Sequence, residues 1–390
     1  MFVRYGLLSI AFWVLGRTHL AARMKGVKNW DAIIIGAGII GLSLAIELNQ
    51  QGLRVLVVEK GEPGREASWA AGGMLCDFPA ETPSGLRELA TASARMYPEF
   101  VHELEDESGL KIDLRSVGTL LFAADGTGHS PVTTQADALP QPLAELEPAL
   151  AILNNPEPHF TALYIKERSV DPRHLTHAAI AAARHRGVDF SSGDHVLAVQ
   201  VADGKAAGVL TNKTQFAAGM VVNCAGAWAG QIGPHSFPTR PVKGQMLYVA
   251  MPQKEMVRHV VRTPNVYLIP RSDGRMLIGT TVEEAGFDKQ TVPKTILKLR
   301  QAAVDLVPKL ADARILEAWA GLRPGTPDGL PILGATPTPG YFVATGHFRD
   351  GILLAPVTAR VMGQMMAGQT MSGREPQIDM PKFSANRFAD

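Results

Sequence analysis

The chain has 390 residues, of which 46% are hydrophobic and 19% charged, enough for two domains around sizeable cores in a soluble globular protein. A formal net charge of +1 leaves no basic footprint for nucleic acid. Cys76 and Cys224 lie far apart and match no metal-ligand or C-x-x-C spacing, which argues against both a disulfide framework and a metal centre.

In chain order, the first feature is an apolar run from Tyr5 to Gly16 behind Arg4. It is short for a membrane-spanning helix, and Leu20-Ala21-Ala22 makes a poor cleavage site. Residues 1–23 are therefore expected to be an N-terminal extension, through a mis-called start or as a tail, with Met24–Trp30 a natural beginning. The rival reading is a membrane anchor or export signal.

Asp31 to Ile35 reads as a buried parallel strand that enters Gly36-Ala37-Gly38-Ile39-Ile40-Gly41, a G-x-G-x-x-G turn, and then a helical run from Leu42 to Leu48. A second apolar strand, Leu53 to Val58, ends at Glu59, roughly 20 residues further on, where a ribose-binding acid is expected. Gly36 permits the tight turn, Gly38 lets backbone approach a pyrophosphate, and Gly41 lets helix and strand pack closely. The helix N-terminus offers N–H groups and a positive dipole end to phosphates. An acid at 59 disfavours a 2′-phosphate, so NADP is not expected.

Residues 60–74 are turn-rich and then unusually small, suited to backbone lying flat against a planar ligand. Leu86 to Gly109 has helical period, Gly118 to Ala123 reads as a strand, and 125–142 as a loop. A short helix (Leu143–Leu150) and a strand (Ala162–Ile165) follow. Asp171 as N-cap and Pro172 at the first helical position open a helix that runs to His185. Next come a strand at Val188–Phe190, an antiparallel meander over His195–Ala217, and a buried strand, Met220–Trp228, that ends in small residues. From Pro241 to Arg323 the texture changes to antiparallel strands at 246–249, 257–261, 266–270 and 276–281, then a helix from about Pro293 to Val307. The chain closes on the block Ala320–Gly334, a strand Tyr341–Thr345, the turn Gly346–Ala355 and a helix to Met366. That turn would aim a helix N-terminus at a bound ring and stabilise negative charge developing there.

These blocks together resemble the flavin-dependent amine oxidases of the D-amino-acid oxidase superfamily, and within it the glycine oxidases of the thiamine pathway. The carrying residues are the Gly36–Gly41 turn with Glu59, Ala70-Ala71-Gly72-Gly73-Met74, Val170-Asp171-Pro172-Arg173, Pro241-Val242-Lys243-Gly244-Gln245, Tyr267-Leu268-Ile269-Pro270-Arg271, Ala320–Thr326 and Gly346–Pro356. The resemblance implies an α/β (α+β) fold with a Rossmann-like FAD-binding domain, discontinuous over 30–112, 162–235 and 320–370. An antiparallel-sheet substrate domain would take 113–161 and 236–319.

The family further implies non-covalent FAD. Gly36, Gly38, Ile39, Ile40, Gly41, Glu59, Lys60, Ala67, Ser68, Gly72, Gly73 and Met74 are then expected at the cofactor. Val196 would meet the adenine, and His347, Phe348, Arg349, Asp350, Gly351, Ile352 and Leu353 the isoalloxazine side. Arg323 resembles the arginine that clamps a substrate carboxylate, with Tyr267 and Arg349 lining the same pocket. A guanidinium grips a carboxylate through two parallel hydrogen bonds, which a lysine cannot match. Tyr267 has a plain alternative as a packed aromatic, and Arg349 one as an ion-pair partner of Asp350 or a neighbouring loop. His347 needs no acid–base role, because hydride transfer from a neutral amine requires no protein base. Cys76 reads as a buried thiol and not as a flavin thioether. Asp350 departs from the neutral Asn expected in the glycine-oxidase loop, and a carboxylate there would shift a flavin potential.

The function expected is oxidation of glycine, and of sarcosine or small D-amino acids, with O₂ as acceptor and the imine serving thiazole synthesis. The alternative is a dehydrogenase for D-amino or 2-hydroxy acids that uses a quinone or other acceptor. A cytoplasmic homo-oligomer is expected, or a membrane-associated one if residues 1–23 act as an anchor.

Overall fold

The computed structural model describes residues 29–77, 82–124, 137, 139–151, 160–368 and 378–388. The readings of residues 1–23, of a beginning at 24–28, and of the loop at 125–136 and 138 lie outside these residues.

Strands that are apolar on both faces build a sheet that must be covered on both sides. In space it runs Ile332–Ala335, Tyr341–Thr345, Gln215–Asn223, Asn29–Ile35, Val55–Glu59, Asp189–Ser192. From Tyr341–Thr345 onward the pairs are parallel, and Ile332–Ala335 is antiparallel at the edge. Successive residues face opposite ways. Ala32, Ile34, Val55, Val57 and Val222 pack beneath the helices Ile39–Gln50, Arg87–Ser108, Pro172–His185 and Ala355–Met366. Ile33, Ile35, Leu56, Val58 and Val221 face the antiparallel strands Val196–Ala202 and Lys205–Thr211. The sequence separates Gln215–Ala217 from the strand beginning at Met220. The structure runs them as one strand, because pairing on both flanks holds the chain straight through Gly219. The helix expected over Leu143–Leu150 ends at Leu146.

A second sheet has the order Ile315–Gly325, Arg240–Ala250, Arg275–Gly279, Tyr267–Pro270, Val260–Arg262, Thr119–Ala124, Phe160–Ile165. All its pairs are antiparallel except Val260–Arg262 against Thr119–Ala124. One face packs on the helix Pro293–Leu306 through Leu247, Val249, Leu268 and Ile278. The other face, with Met246, Tyr248, Ile269 and Trp319, turns to Ala70, Trp69 and Met74 from the first unit. The boundaries expected at 162 and 320 each fall inside a strand of this sheet. The block beginning at Ala320 gives no strand signal, since glycine and proline both weaken that reading. It is nonetheless the end of an edge strand, where proline is tolerated, and Pro324 stands opposite Pro241, so the two residues without an N–H share one rung. Among the described residues no helix is long and apolar enough to cross a membrane.

Two clusters, one buried and one half-buried, join the units. Asp171, fully buried, caps the helix Pro172–His185 by accepting from the Arg173 and His174 N–H groups at 2.9 and 3.4 Å. Its other oxygen, Oδ2, lies 3.0 Å from Arg275 Nη2 and 3.8 Å from Arg271 Nε. Arg271, only 1% exposed, donates to the carbonyls of Val170 at 3.0 Å and Gly72 at 2.6 Å and to Tyr248 Oη at 3.3 Å. Beside it, the Arg173 guanidinium lies 3.4 Å from the Trp69 ring centroid and 4.6 Å from that of Trp319, and Nη1 donates to Glu317 at 2.8 Å. The aromatic faces take the place of hydrogen-bond partners that Nε and Nη2 lack. Burial alone would raise the Asp171 pKa, but the Arg271 charge, with His174, the Arg173 N–H and Arg275, holds it below the ordinary carboxylate value.

Removing one partner of such a network leaves the others buried and uncompensated. Asp171→Ala is therefore expected to lower the unfolding free energy by about 3–5 kcal/mol at neutral pH, read as a lower urea midpoint. Because the folded carboxyl titrates below its unfolded value, this contribution is present above about pH 4 and fades as pH falls through the folded pKa, so the deficit shrinks in acid.

Candidate cofactor and substrate site

A cavity of about 900 Å³ opens between the two sheets. Its first half stands on the carboxyl ends of the parallel strands, at Ile35, Val58-Glu59, Cys224 and Ala344-Thr345. This is where open α/β sheets take ligands. Gly36 has φ 102°, and a Cβ there would meet the Cys224 carbonyl at 2.6 Å. Ser68 Oγ accepts from the Ile39 N–H at 2.9 Å, while the N–H groups of Ile40 and Gly41 have no acceptor within the helix. Glu59 accepts from the Ala37 N–H at 2.8 Å and the Gly61 N–H at 2.9 Å, which orients both carboxylate oxygens and leaves lone pairs for ribose hydroxyls.

Of the residues expected at the cofactor, Gly36, Gly38, Ile39, Ile40, Glu59 and Lys60 line the cavity, as do Ala67, Ser68, Gly72, Gly73, Met74 and Val196. So do His347, Phe348, Arg349, Gly351 and Ile352. Three do not. Gly41 sits behind the turn, where a Cβ would collide with the Gly36 carbonyl; it serves helix–strand packing. Leu353 is buried in the helical layer, and its carbonyl accepts from Ser93 Oγ at 2.5 Å. Asp350 is half-buried behind the wall, its N–H bonded to the His347 carbonyl at 2.9 Å. Cys76 is half-buried, not buried as expected; it is outside the wall and accepts from Arg262 Nη1 at 3.3 Å. Lys60 stands 3.1 Å over the Trp228 ring, and burial lowers its pKa.

The far half of the cavity is built by the second sheet. Arg323 Nη1 donates to the Thr281 carbonyl at 3.2 Å and Nη2 to Thr280 Oγ1 at 2.9 Å. Burial lowers its pKa and the nearby Arg349 charge adds to that, against the Tyr267 hydroxyl. A guanidinium nonetheless stays protonated. Among the described residues no carboxylate pairs with Arg323 or Arg349, so Arg349 does not take the Asp350 partner considered for it. Arg349 lies exposed with its guanidinium 5.2 Å from the Phe348 ring centroid. Tyr267 reaches Met246 Sδ at 3.3 Å, and burial raises its pKa. His347 is 3% exposed, shares a hydrogen bond with Thr358 Oγ1 at 3.1 Å, and is pushed down to about 3 by burial. It is neutral at working pH and is engaged with the helix behind it.

Sequence reasoning left out several lining residues. The run Cys224–Trp228 was visible as small backbone near a ligand, though not residue by residue. Thr263-Pro264-Asn265, Met246 and Thr280 carry no local signal, because strand pairing alone brings them to the cavity.

The residues fit FAD. A turn with bare backbone at Gly36 and Gly38, the helix start at Ile39 and Ile40 on the wall and an oriented carboxylate suit a dinucleotide without a 2′-phosphate, and the cavity runs on from them to the second sheet. A dinucleotide cradle that opens on an antiparallel sheet defines a flavin-dependent oxidoreductase. Residues 31–365 match the FAD dependent oxidoreductase family (DAO), and the chain belongs to that family. It is similar to the glycine oxidase of Pseudomonas aeruginosa, with 35% identity over 364 residues that cover 90% of this chain and 97% of that protein. It is also similar to the bifunctional protein ThiO/ThiG of Trichormus variabilis, with 35% identity over 346 residues covering 87% of this chain and 53% of that protein. The chain thus spans about half the length of that relative. The crystal structure of glycine oxidase from Geobacillus kaustophilus superposes with a TM-score of 0.84 at 30% identity, covering 93% of this chain and 100% of that one.

Burial pushes Asp350 up to about 6, with Arg349 pulling the other way. A carboxyl raised in the folded state favours folding below its unfolded pKa and loses that advantage as pH rises through the folded value. Asp350→Asn is expected to be more stable than the parent at pH 8 by on the order of 1–3 kcal/mol, with no gain at pH 4, in thermal melts at both pH values.

Proposed function

We propose that this chain is an FAD-dependent amine oxidase acting on glycine and other small amino acids. The observation that carries the reading is Arg323: a guanidinium, half-buried at the end of the cavity away from the nucleotide cradle, with no carboxylate partner among the described residues. Two of its five donors go to Thr280 and Thr281 and one side meets Tyr267, which leaves at least two for an incoming carboxylate. A carboxylate there would relieve the repulsion between Arg323 and Arg349. Tyr267 walls the same space, and glycines at 72 and 279 let its ring lie close to backbone.

FAD, held by the glycine turn at 36–38, the start of the helix at Ile39–Ile40 and Glu59, would supply the two-electron oxidation of the substrate amine, with O₂ as the final acceptor. The chain itself orients the substrate by its carboxylate. Among the described residues no base stands there: Glu59, Glu66, Asp194 and His195 on the wall belong to the nucleotide half, and His347 is turned to Thr358. The amine must therefore arrive deprotonated. The imine then hydrolyses to glyoxylate and ammonia or passes to thiazole synthesis, a role supported by the similarity to ThiO/ThiG. The same reading assigns the segments of the parallel sheet to cofactor binding and those of the antiparallel sheet to substrate. It also assigns the cavity-lining residues expected at the cofactor to FAD.

The test is a substrate panel on the purified yellow protein, with flavin bleaching read without oxygen and peroxide read in air. Glycine is expected to bleach the flavin and release peroxide. Arg323→Met is expected to keep its FAD and raise the KM for glycine about 100-fold, the loss of roughly 3 kcal/mol of charge-assisted hydrogen bonding. Bleaching without peroxide would move the acceptor from O₂ to another oxidant, and no bleaching by any amino acid would defeat the proposal.

A further inference from the structure

The strand Arg240–Ala250 pairs with Ile315–Gly325 so that Val242 stands opposite Arg323 and Gly244 opposite Gly321. Gly244 is therefore the diagonal neighbour of Arg323 on the same face of the sheet. A Cβ built on Gly244 would lie 2.6 Å from Arg323 Cζ and closer still to both Nη atoms. The guanidinium rests flat on bare backbone. On the opposite face, Lys243 and Gln245 hold the segment that follows the strand Arg275–Gly279. Lys243 Nζ is 2.7 Å from Asp288 Oδ2, Gln245 Nε2 donates to Glu283 Oε1 at 2.8 Å, and Gln245 Oε1 accepts from the Val292 N–H at 2.7 Å. That segment presents the Thr281 carbonyl and Thr280 Oγ1 to Arg323.

We propose that Gly244 is a positioning residue for the carboxylate-binding arginine: the bare backbone at 244 is the seat that holds the Arg323 fork at the level of the cavity floor, and any side chain there lifts the fork out of register with an incoming carboxylate. The inference rests on the reading of Arg323 as the substrate clamp. Gly244 touches neither substrate nor cofactor and acts through Arg323 alone. The colliding atoms are the far end of a flexible side chain, so a methyl at 244 displaces the guanidinium at little cost to the fold. The effect falls on ligand affinity and not on stability.

The experiment titrates FAD-loaded protein with acetate, a carboxylate with no amine to oxidise, following the flavin absorbance, and measures glycine kinetics alongside. Gly244→Ala is expected to bind acetate roughly tenfold more weakly and to raise the KM for glycine by a similar factor. Its FAD content, resting flavin spectrum and melting temperature are expected to match the parent's. Parent-like acetate affinity in Gly244→Ala, with weakened affinity in Arg323→Met, overturns the seat and leaves the clamp standing. Parent-like affinity in Arg323→Met overturns the clamp itself. If Gly244→Ala does not fold, the double variant Gly244→Ala, Arg323→Ala decides: it is expected to recover folded, FAD-loaded protein, because the colliding side chain is gone, and failure to recover overturns the proposal.

Discussion

The site depends on the buried contact between Arg271 and the Gly72 carbonyl. Gly72 belongs to the nucleotide unit and lines the cavity, whereas Arg271 closes a strand of the second sheet. Asp171 offsets the Arg271 charge, Arg275 bridges Asp171 and Asp273, and Arg173 in its box of Trp69, Trp319 and Tyr248 ties the same two units. The buried Asp171–Arg271 pair at the centre tolerates little slack, because a partner that drifts leaves the other ion uncompensated in a low-dielectric interior. Two sheets with separate cores are thereby held at one spacing, and the cavity between them has one width.

Within that frame the two halves of the cavity recognise by different means. The nucleotide half works mainly through backbone: a left-handed glycine, open helix N–H groups, and a carboxylate whose orientation is fixed by two more N–H groups. The other half presents side chains that project from strands, chiefly Arg323 and Tyr267, which the proposed function assigns to the substrate. Backbone recognition suits a cofactor that stays in place. A guanidinium with spare donors, Arg323, and a second one nearby, Arg349, suit an anionic ligand that comes and goes, since free N–H groups can be hydrated between turnovers.

The legibility of the sequence follows that division. The turn at 36–41 and Glu59 could be read because a βαβ unit imposes its geometry over a short stretch, and each residue there has a reason independent of the rest of the chain. Asp171 and Pro172 were equally plain as a helix start, but the buried arginines that Asp171 balances lie about 100 residues away and left no local trace. Arg323 was identifiable by its chemistry, yet its strand was not, because Gly321 and Pro324 mask strand propensity and only pairing with Arg240–Ala250 restores it. Gly41, Asp350 and Leu353 show the converse limit. They lie inside motifs that bind, but their backbones turn them into the packing behind the wall.

Substrate orientation, in the proposed function, rests on Arg323: with no carboxylate partner among the described residues, it fixes a carboxylate so that the neighbouring carbon faces the flavin. A crystal structure of the FAD-loaded protein soaked with glycolate tests it most directly. Both carboxylate oxygens are expected on the Arg323 guanidinium, with the α-carbon turned toward flavin N5. Glycolate held elsewhere in the cavity with Arg323 untouched, or bound to Arg323 with its α-carbon turned away from the ring, would contradict it.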